Sequence, residues 1–489
     1  MGTILFIGDT MKSKLIRILK GHPFISLFIL SITLLQLVPA GTYTLLDAAT
    51  YVPVKGFSLI VPRIVTILEP FIGIPLYLST THYIKAESIS IFVWGLVLVV
   101  LYAVVKRRPR RIPVYLVSYL LGFSLFAFYI LFIRFPLLKV VPHDPAQCLI
   151  DPHSHTDYSH DGLVTPWQNI RYHVEQGFTA WYVTEHYNIK GGINEQDLAL
   201  MAGRKSLIGE EVRVRDDPHF FLALGITSPV SARDTTSVSA LTSAVHRQGG
   251  AVVLALWWLH RGTNLKHEVK DGVDAFEIAN AGHKQGLDAA VRRTAYEASQ
   301  RFHIPLVASS DWHGWGNYAY TWTAFDIPDA SLYSPSRLNE AVISMLRSGQ
   351  VRGITPIIYD YPHQYWGTVR FVFAPLFDFI YYFSTLPFAG YVSWILWSLL
   401  LWSLYAGYGF VHKQFFYDRQ RLLGPILLTG ASLAALFRAI QMITRIAFIP
   451  VENTLLLTVE HVVLFYASGM LLISILWLAS AHRRKRRLK

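Results

Sequence analysis

Residues 151–162 read Asp151-Pro152-His153-Ser154-His155-Thr156-Asp157-Tyr158-Ser159-His160-Asp161-Gly162, three histidines and three aspartates in twelve positions. The stretch follows the hydrophobic residues Val140-Val141 and Leu149-Ile150, which read as a strand. His153 and His155 are two apart, so on an extended chain both point to one face. Two imidazoles on one face are half of a metal site. A polar loop with chance histidines would have the same composition, but it would not explain what recurs downstream.

The possible partners stand at the ends of further strand-like runs. Trp181 to Thr184 closes on Glu185-His186, and Leu207-Ile208-Gly209 leads to Glu210-Glu211. His219 opens Phe220 to Leu224, and Ala251 to Ala255 follows Gly249-Gly250 with His260 beyond it. Ala275 to Ile278 ends at Asn280, and Pro305 to Ser310 ends at Asp311-Trp312-His313. Helical patterns lie between, at Pro166 to Gln176 and Ala289 to Phe302. Alternating strands and helices imply a parallel sheet, open or closed, whose functional residues gather at the carboxyl ends of its strands.

These blocks carry a resemblance. The segment from about Ala146 to Gly353 resembles the PHP (polymerase and histidinol phosphatase) family. That family reads D-x-H-x-H-[ST]-x-x-S with an acid and Gly, then T-D-H, G-x-E, H-h-h-G, G-G-x-x-x-x-A-H-P, E-x-x-N and S-D-x-H. Here the blocks are Asp151 to Gly162, Thr184-Glu185-His186, Gly209-Glu210-Glu211, His219 to Gly225, Gly249 to Ala255, Glu277 to Asn280 and Ser310 to His313. The resemblance implies an α/β fold, a distorted (β/α)7 barrel, with two or three divalent metal ions that hydrolyse phosphoesters. His153, His155, Glu211 and Asp311 would hold the first ion, and Asp161, His186 and His313 the second. Glu211 would bridge to a third, with His219 as its histidine. Glu211 is preferred to Glu210 because the pattern spaces Gly, any residue, Glu.

The chain departs from the pattern in three places. One extra residue, His160, precedes Asp161, and it is the alternative ligand. Glu185 replaces an aspartate. Leu256 stands where Ala-His-Pro would place a histidine, so either His260 reaches back through a local bulge or the third ion is weakly held. Arg261, Asn280, His283 and Arg213 are candidate substrate-binding residues, with ordinary loop polarity an equal reading of each.

Imidazole and carboxylate without thiolate suit Mn, Zn, Fe or Mg. Two such ions roughly 3.5–4 Å apart generate hydroxide and clamp the attacking and leaving oxygens of a phosphoryl group, so no protein nucleophile is needed. The single cysteine, Cys148, excludes an internal disulfide and a cysteine-based zinc site.

Composition places this domain in unusual company. Of 489 residues 52% are hydrophobic, 14% aromatic and only 16% charged, too apolar for an ordinary soluble enzyme. The expected layout is a basic cytoplasmic N-terminus (1–22), a transmembrane helical block (23–140), the PHP domain (144–356), a second transmembrane block (364–480) and a basic tail (481–489). Pro23 to Leu35 reads as a first membrane helix or a signal sequence. Ser88 to Val105 and Val114 to Ile133 read as clean spans, as do Tyr391 to Val411, Leu422 to Met442 and Thr454 to Ala479. Phe57 to Ser79 and Trp366 to Leu386 are interrupted by charges and prolines, and each either crosses or lies at the interface. They form a weak echo of each other rather than a repeat.

The basic segments orient the chain. With Lys106 to Arg111, His412 to Arg421 and both termini cytoplasmic, six spans result and the catalytic domain lies outside the cytoplasm. Eight spans would make it cytoplasmic but would put Lys106 to Arg111 on the wrong side. Basic clusters flanking apolar runs orient spans and do not suggest a nucleic-acid partner. Arg438, Arg445, Glu460 and His461 in apolar runs suggest a polar pocket or internal pairing. The partners expected are the bilayer and a phosphoester, lipid-linked or membrane-associated. A membrane-anchored nuclease or nucleotide phosphatase, and a non-catalytic sensor, are the alternatives. Oligomeric state is not legible.

Overall fold

Among the described residues, twelve runs of four to eight residues, rich in Val, Ile, Leu and Phe and bounded by turns, form strands. The computed structural model describes residues 23–37, 44–80, 84–132, 138–260, 262–282, 289–314, 320–360 and 368–411, with scattered positions between 433 and 475. The expected spans 422–442 and 454–479, the loop 412–421 and both basic termini lie largely or wholly outside the described residues.

The strands are β1 (Thr44–Asp47), β2 (Phe57–Ile60), β3 (Lys139–Pro142), β4 (Gln147–Asp151), β5 (Ala180–His186), β6 (Ser206–Arg213), β7 (Phe220–Leu224), β8 (Ala251–Ala255), β9 (Ala275–Asn280), β10 (Leu306–Ser309), β11 (Thr321–Asp326) and β12 (Ile354–Asp360). Ten form one sheet in the order β1-β12-β11-β4-β5-β6-β7-β8-β9-β10. The (β/α)7 expectation holds only in part. β4, β5 and β6 run parallel, as do β8, β9 and β10. β7 is antiparallel to both its neighbours because no crossover helix separates it from β6. β11, β12 and β1 add an antiparallel margin beside β4.

The sheet curls until β10 lies against β11 and β12. Side chains close this seam in place of a backbone ladder. Thr321 Oγ1 donates to the Ser309 carbonyl (2.6 Å), Thr323 Oγ1 to the Ala308 carbonyl (2.7 Å), and the Ala308 amide to Thr323 Oγ1 (2.7 Å). At the seam's carboxyl end the Asp311 amide donates to the His153 carbonyl (2.8 Å) and the His155 amide to the Trp312 carbonyl (3.1 Å).

The helix Pro166–Gln176 begins and ends where the sequence placed it. Thr165 and Gln168 cap it reciprocally, proline occupies its first turn, and Gly177 ends it at φ +92°. Two other expectations shift. Val140-Val141 and Leu149-Ile150 belong to separate strands: β3 pairs with β2 in a two-stranded sheet, and only β4 enters the barrel. Phe57 to Ile60, the start of a segment expected to cross the membrane or lie at its interface, is therefore a strand. Thr44–Asp47, placed by sequence inside the first helical block, pairs with β12 and edges the barrel sheet.

The described helices of the two sequence blocks pack against each other. Phe28 of the helix Pro23–Leu35 packs on Phe383 and Trp394, with ring centroids 5.8 Å away in each case. The two interrupted segments are also related, more closely than their sequence echo suggested. Arg63–Ile67 and Glu69–Thr80 correspond, at a shift of 305 residues, to Thr368–Val372 and Ala374–Thr385. Pro70, Tyr77, Ser79 and Thr80 correspond to Pro375, Tyr382, Ser384 and Thr385, and at a shift of 303 Ser90 and Trp94 correspond to Ser393 and Trp397.

The two units exchange equivalent contacts. Ser393 Oγ (2.9 Å) and Trp397 Nε1 (2.7 Å) donate to the Ile67 carbonyl at the first break. Ser90 Oγ (3.3 Å) and Trp94 Nε1 (2.5 Å) donate to the Val372 carbonyl at the second. Tyr77 and Tyr382 meet each other, centroids 5.7 Å apart. A carbonyl freed by a helix break needs such a donor in apolar surroundings. Reciprocal contact between equivalent residues is the signature of two-fold packing, and the helical body contains an internal repeat.

Among the described residues, Glu87–Val105 is long and apolar enough to cross a bilayer, with only 11% of its apolar window buried. Ala374–Thr385 and Phe388–Leu404 pass that test together but are bent by 114°.

Candidate metal centre

The carboxyl ends of β4, β5, β6 and β10 bring together seven of the predicted ligands. His153 and His155 follow β4, and their Nε2 atoms face each other at 3.0 Å. Glu211 on β6 places Oε2 at 3.4 Å from His153 Nε2, 3.3 Å from His155 Nε2 and 3.1 Å from His186 Nδ1. Asp311 beyond β10 places Oδ1 at 3.2 Å from His153 and 3.3 Å from His155. Asp161 completes a second group, its two oxygens lying 3.4 Å from His186 and 3.3 Å from His313. The His155 ring stacks on those of His186 and His313, centroids 4.7 and 4.2 Å away. Glu211 therefore touches both groups, whereas the role expected of it was a bridge to a third ion at His219. His160, the alternative ligand, lies 3.8 Å from Asp161, about half exposed, and groups with Asp161 and His186.

The electrostatics of the cluster invite a cation. Burial would raise the Asp161 carboxyl, but His186 and His313 hold it far below the usual carboxylate range. Burial likewise opposes ionisation of Glu211 and Asp311, and His153 overrides it in both. Burial would lower His313, but Asp311 and Asp161 push it up to about 9. Asp311 Oδ1, Asp161 Oδ1 and His186 Nδ1 are buried without a hydrogen-bond partner of proper geometry. Buried polar atoms of this kind call for an ion or a proton. Ligand atoms 3.0–3.5 Å apart suit a cation with bonds of roughly 2.0–2.2 Å. The residues fit one or more divalent ions.

No protein-family model matches the chain, and no curated protein matches it. Among solved structures it is similar to a provisionally assigned metal-dependent phosphoesterase from Bifidobacterium adolescentis, with 18% identity, 34% of this chain and 87% of that one covered, and a TM-score of 0.28. It is similar to a two-domain protein from Bacteroides vulgatus containing a predicted PHP-like metal-dependent phosphoesterase, with 16% identity, 44% and 65% covered, and a TM-score of 0.34. It is also similar to an amidohydrolase from Chromobacterium violaceum with bound sulfate and no metal, with 16% identity, 39% and 96% covered, and a TM-score of 0.29. Likenesses this distant carry no assignment of activity, which rests on the site itself.

The remaining predicted residues fall elsewhere. His219 stands apart from the seven: its Nδ1 meets Asp217 at 2.6 Å, its Nε2 meets Thr263 at 2.9 Å, and it groups with Asp217 and Glu268. His260 does approach His219, ring centroids 5.0 Å apart, after a single 3-10 turn. Leu256, in the place of the expected histidine, takes φ +53° and is buried in the core. Its amide donates to Glu277 Oε2 (3.1 Å). Asn280 donates to both Glu277 oxygens at 3.2 Å and is a support for that carboxylate. Arg213 lies over the Phe220 ring at 4.0 Å, on the rim. Arg261 and His283 lie outside the described residues.

Sequence reading placed Glu185 behind the ligands but left the rest of the supporting layer unassigned, although Asp151, Thr156, Ser159, Glu277 and Ser310 lay inside the motif blocks. Glu277 Oε1 sits 3.0 Å from His153 Nδ1 and accepts from Ser309 Oγ, so it orients the ring and leaves Nε2 toward the centre. Asp151 accepts from His173 Nε2 (2.9 Å), the Ser310 amide (3.0 Å) and Ser310 Oγ, tying β4 to β10. Glu185 accepts from Thr156 and Ser159, and Ser159 Oγ lies 3.0 Å from His155 Nδ1. Burial pushes the Glu185 carboxyl up to about 7 against those hydrogen bonds. Such outer partners fix tautomer and ring orientation. Glu277→Gln is expected to weaken binding of the ion at His153 by about 10–100-fold, measured by titration calorimetry with Mn²⁺. Unchanged affinity would show that Glu277 is only a core polar residue.

Proposed function

We propose that this chain is a metal-dependent phosphoester hydrolase embedded in a membrane, acting on a lipid-linked or membrane-associated phosphate. The observation that carries the hydrolase reading is the convergence of four imidazoles and three carboxylates within 3.5 Å contacts at the strand ends, with buried atoms lacking hydrogen-bond partners. His153, His155, Glu211 and Asp311 would hold one ion, and His186, His313 and Asp161 the other, with Glu211 reaching toward both. Divalent ions bound there supply an activated water at neutral pH and positive charge for the phosphoryl oxygens.

The chain's own residues orient and gate. Glu277 and Ser159 fix the ring planes of His153 and His155. Asp161, a third exposed, marks the open side of the centre where a phosphate would arrive. The membrane reading is supported by the apolar residues that the helix Ile84–Val105 exposes, among them Ile89, Leu98, Val104 and Val105. Burying such a face is what lipid does at no cost in polar groups. The basic segment Lys106 to Arg111, read as cytoplasmic, supports an orientation with the barrel on the opposite side, outside the cytoplasm.

The test is hydrolysis of a generic phosphomonoester and phosphodiester by the detergent-purified chain, with Mn, Zn, Mg and Fe titrated in turn and chelator as control. Metal-dependent turnover is the expected result, and the preferred ester defines the substrate class. Bound metal with no turnover of either ester would point to a substrate-restricted enzyme, and no turnover with no bound metal would move the reading to the sensor alternative. Orientation is read from Met201→Cys in intact cells. Met201 is exposed and Cys148 is buried, so an impermeant maleimide should label only the variant. Labelling that requires broken cells would put the barrel in the cytoplasm.

A further inference from the structure

Asn453 immediately precedes the last apolar run of the chain, Thr454 to Ala479, yet its carboxamide is buried against the metal-centre loop. Its Nδ2 donates to three backbone carbonyls of that loop: Gly162 (2.6 Å), Ser159 (2.8 Å) and Asp157 (3.3 Å). The amide has two hydrogens, so the longest contact is shared. Between the three carbonyls lies Asp161, whose side chain faces His186 and His313.

The loop is held from its other side by Glu185, through Thr156 and Ser159. It is also tightly wound, since a Cβ on Gly162 would lie 1.8 Å from the Thr156 carbonyl oxygen. The three carbonyls that converge on Asn453 lie almost 300 residues away from it in sequence. An aliphatic residue at 453 would leave buried acceptors without this donor.

We infer that Asn453 is a positioning residue for Asp161, and that through it the start of the last apolar run is coupled to one half of the metal centre. This rests on the reading of Asp161 as a metal ligand. Asn453 touches neither substrate nor ion. It sets where the Asp161 carboxylate stands, so a shift of the apolar run would be felt first at the ion held by Asp161, His186 and His313.

The experiment compares the full detergent-purified chain with Asn453→Ala and Asn453→Asp. Hydrogen exchange is read by mass spectrometry, and Mn²⁺ affinity by titration. Exchange across residues 157–163 should quicken about tenfold in both variants while β8 and β9 stay unchanged. One Mn²⁺ should bind about 10–100-fold more weakly and the other normally. Asn453→Asp discriminates because it restores the volume but turns a carboxylate toward three carbonyl oxygens. Rescue by Asp, unchanged exchange at 157–163, or faster exchange throughout the barrel would each overturn the inference. Local quickening with both ions bound as in wild type would overturn the link to Asp161. A wild-type chain that binds no Mn²⁺ removes the ligand reading of Asp161 instead, and the exchange data then decide whether Asn453 clamps the loop.

Discussion

Asp311→Ala is expected to lose at least one of the bound ions and to lower phosphoester turnover by about 10³-fold or more. An ion contributes several kcal/mol of transition-state stabilisation, and each ~1.4 kcal/mol is tenfold in rate. Asp311 Oδ1 stands 3.2 Å from His153, 3.3 Å from His155 and 3.5 Å from His313, so this carboxylate ties the two halves of the centre together. The residue is held at φ +44°, in the left-handed region, by the Asp311 amide bond to His153 and the Ser154–Trp312 bridge. Aspartate tolerates that conformation better than most residues. The backbone therefore turns there in order to present the side chain. Asp311→Asn, which keeps shape and removes charge, should behave nearly as alanine does. The measurement is metal content by inductively coupled plasma mass spectrometry together with turnover. Wild-type metal content in both variants would remove Asp311 from the ligand set.

Arg370→Met is expected to cost about 3–5 kcal/mol of stability, because it leaves carboxylates buried without their cation. Arg370 Nη2 lies 3.0 Å from Glu87 Oε1 and 3.8 Å from Asp378 Oδ1, and all three side chains are buried. Tyr77 supports Asp378 with a hydroxyl donated at 3.2 Å. In the internal repeat the counterparts of Arg370, Asp378 and Glu87 are Val65, Gly73 and Gly390. The charges are thus confined to one member of each equivalent pair, and no symmetric partner can substitute. The triple variant Glu87→Gln, Arg370→Met, Asp378→Asn should recover most of the loss, since removing a whole buried network is milder than breaking it. Denaturation of the purified chain in detergent measures both. A cost under about 1 kcal/mol for the single variant would mean that the three groups are effectively solvated.

Much of the centre could be read from residue order taken together with the family resemblance that assigned the ligands. His153 and His155 two apart, His186 and Glu211 on strands, and Asp311-Trp312-His313 after a strand are local patterns, and parallel strands carry them to one edge. The helix Pro166–Gln176 was legible for a similar reason, with its cap, proline and glycine all adjacent in sequence. His219 was not, because its position depends on how Leu256 to His260 turns, and a spacing pattern holds no loop conformation. Thr44–Asp47 was hidden inside apolar surroundings, and only its pairing with β12 makes it a strand. Glu277, although inside a motif block, and Asn453 act through contacts with distant residues, His153 in one case and the 157–162 loop in the other, and those partners cannot be read from spacing. The repeat was missed for a different reason. Its two copies share few identical residues, and what they share is a pattern of breaks and donors that becomes visible only when the contacts are seen to be exchanged.

That exchange bears on how the chain is made. The carbonyl of Ile67 finds its donors in Ser393 and Trp397, more than 300 residues later. At ~5–20 residues per second a ribosome needs roughly 15–60 s to supply them. Throughout that interval the first copy is half of a pair, with a polar group open to whatever surrounds it, while the barrel is synthesised in between. β4 meanwhile has β5 beside it but must wait for β11 on its other edge. The hazard to the newborn protein is therefore one of timing: the first copy stays without its partner contacts until the second emerges.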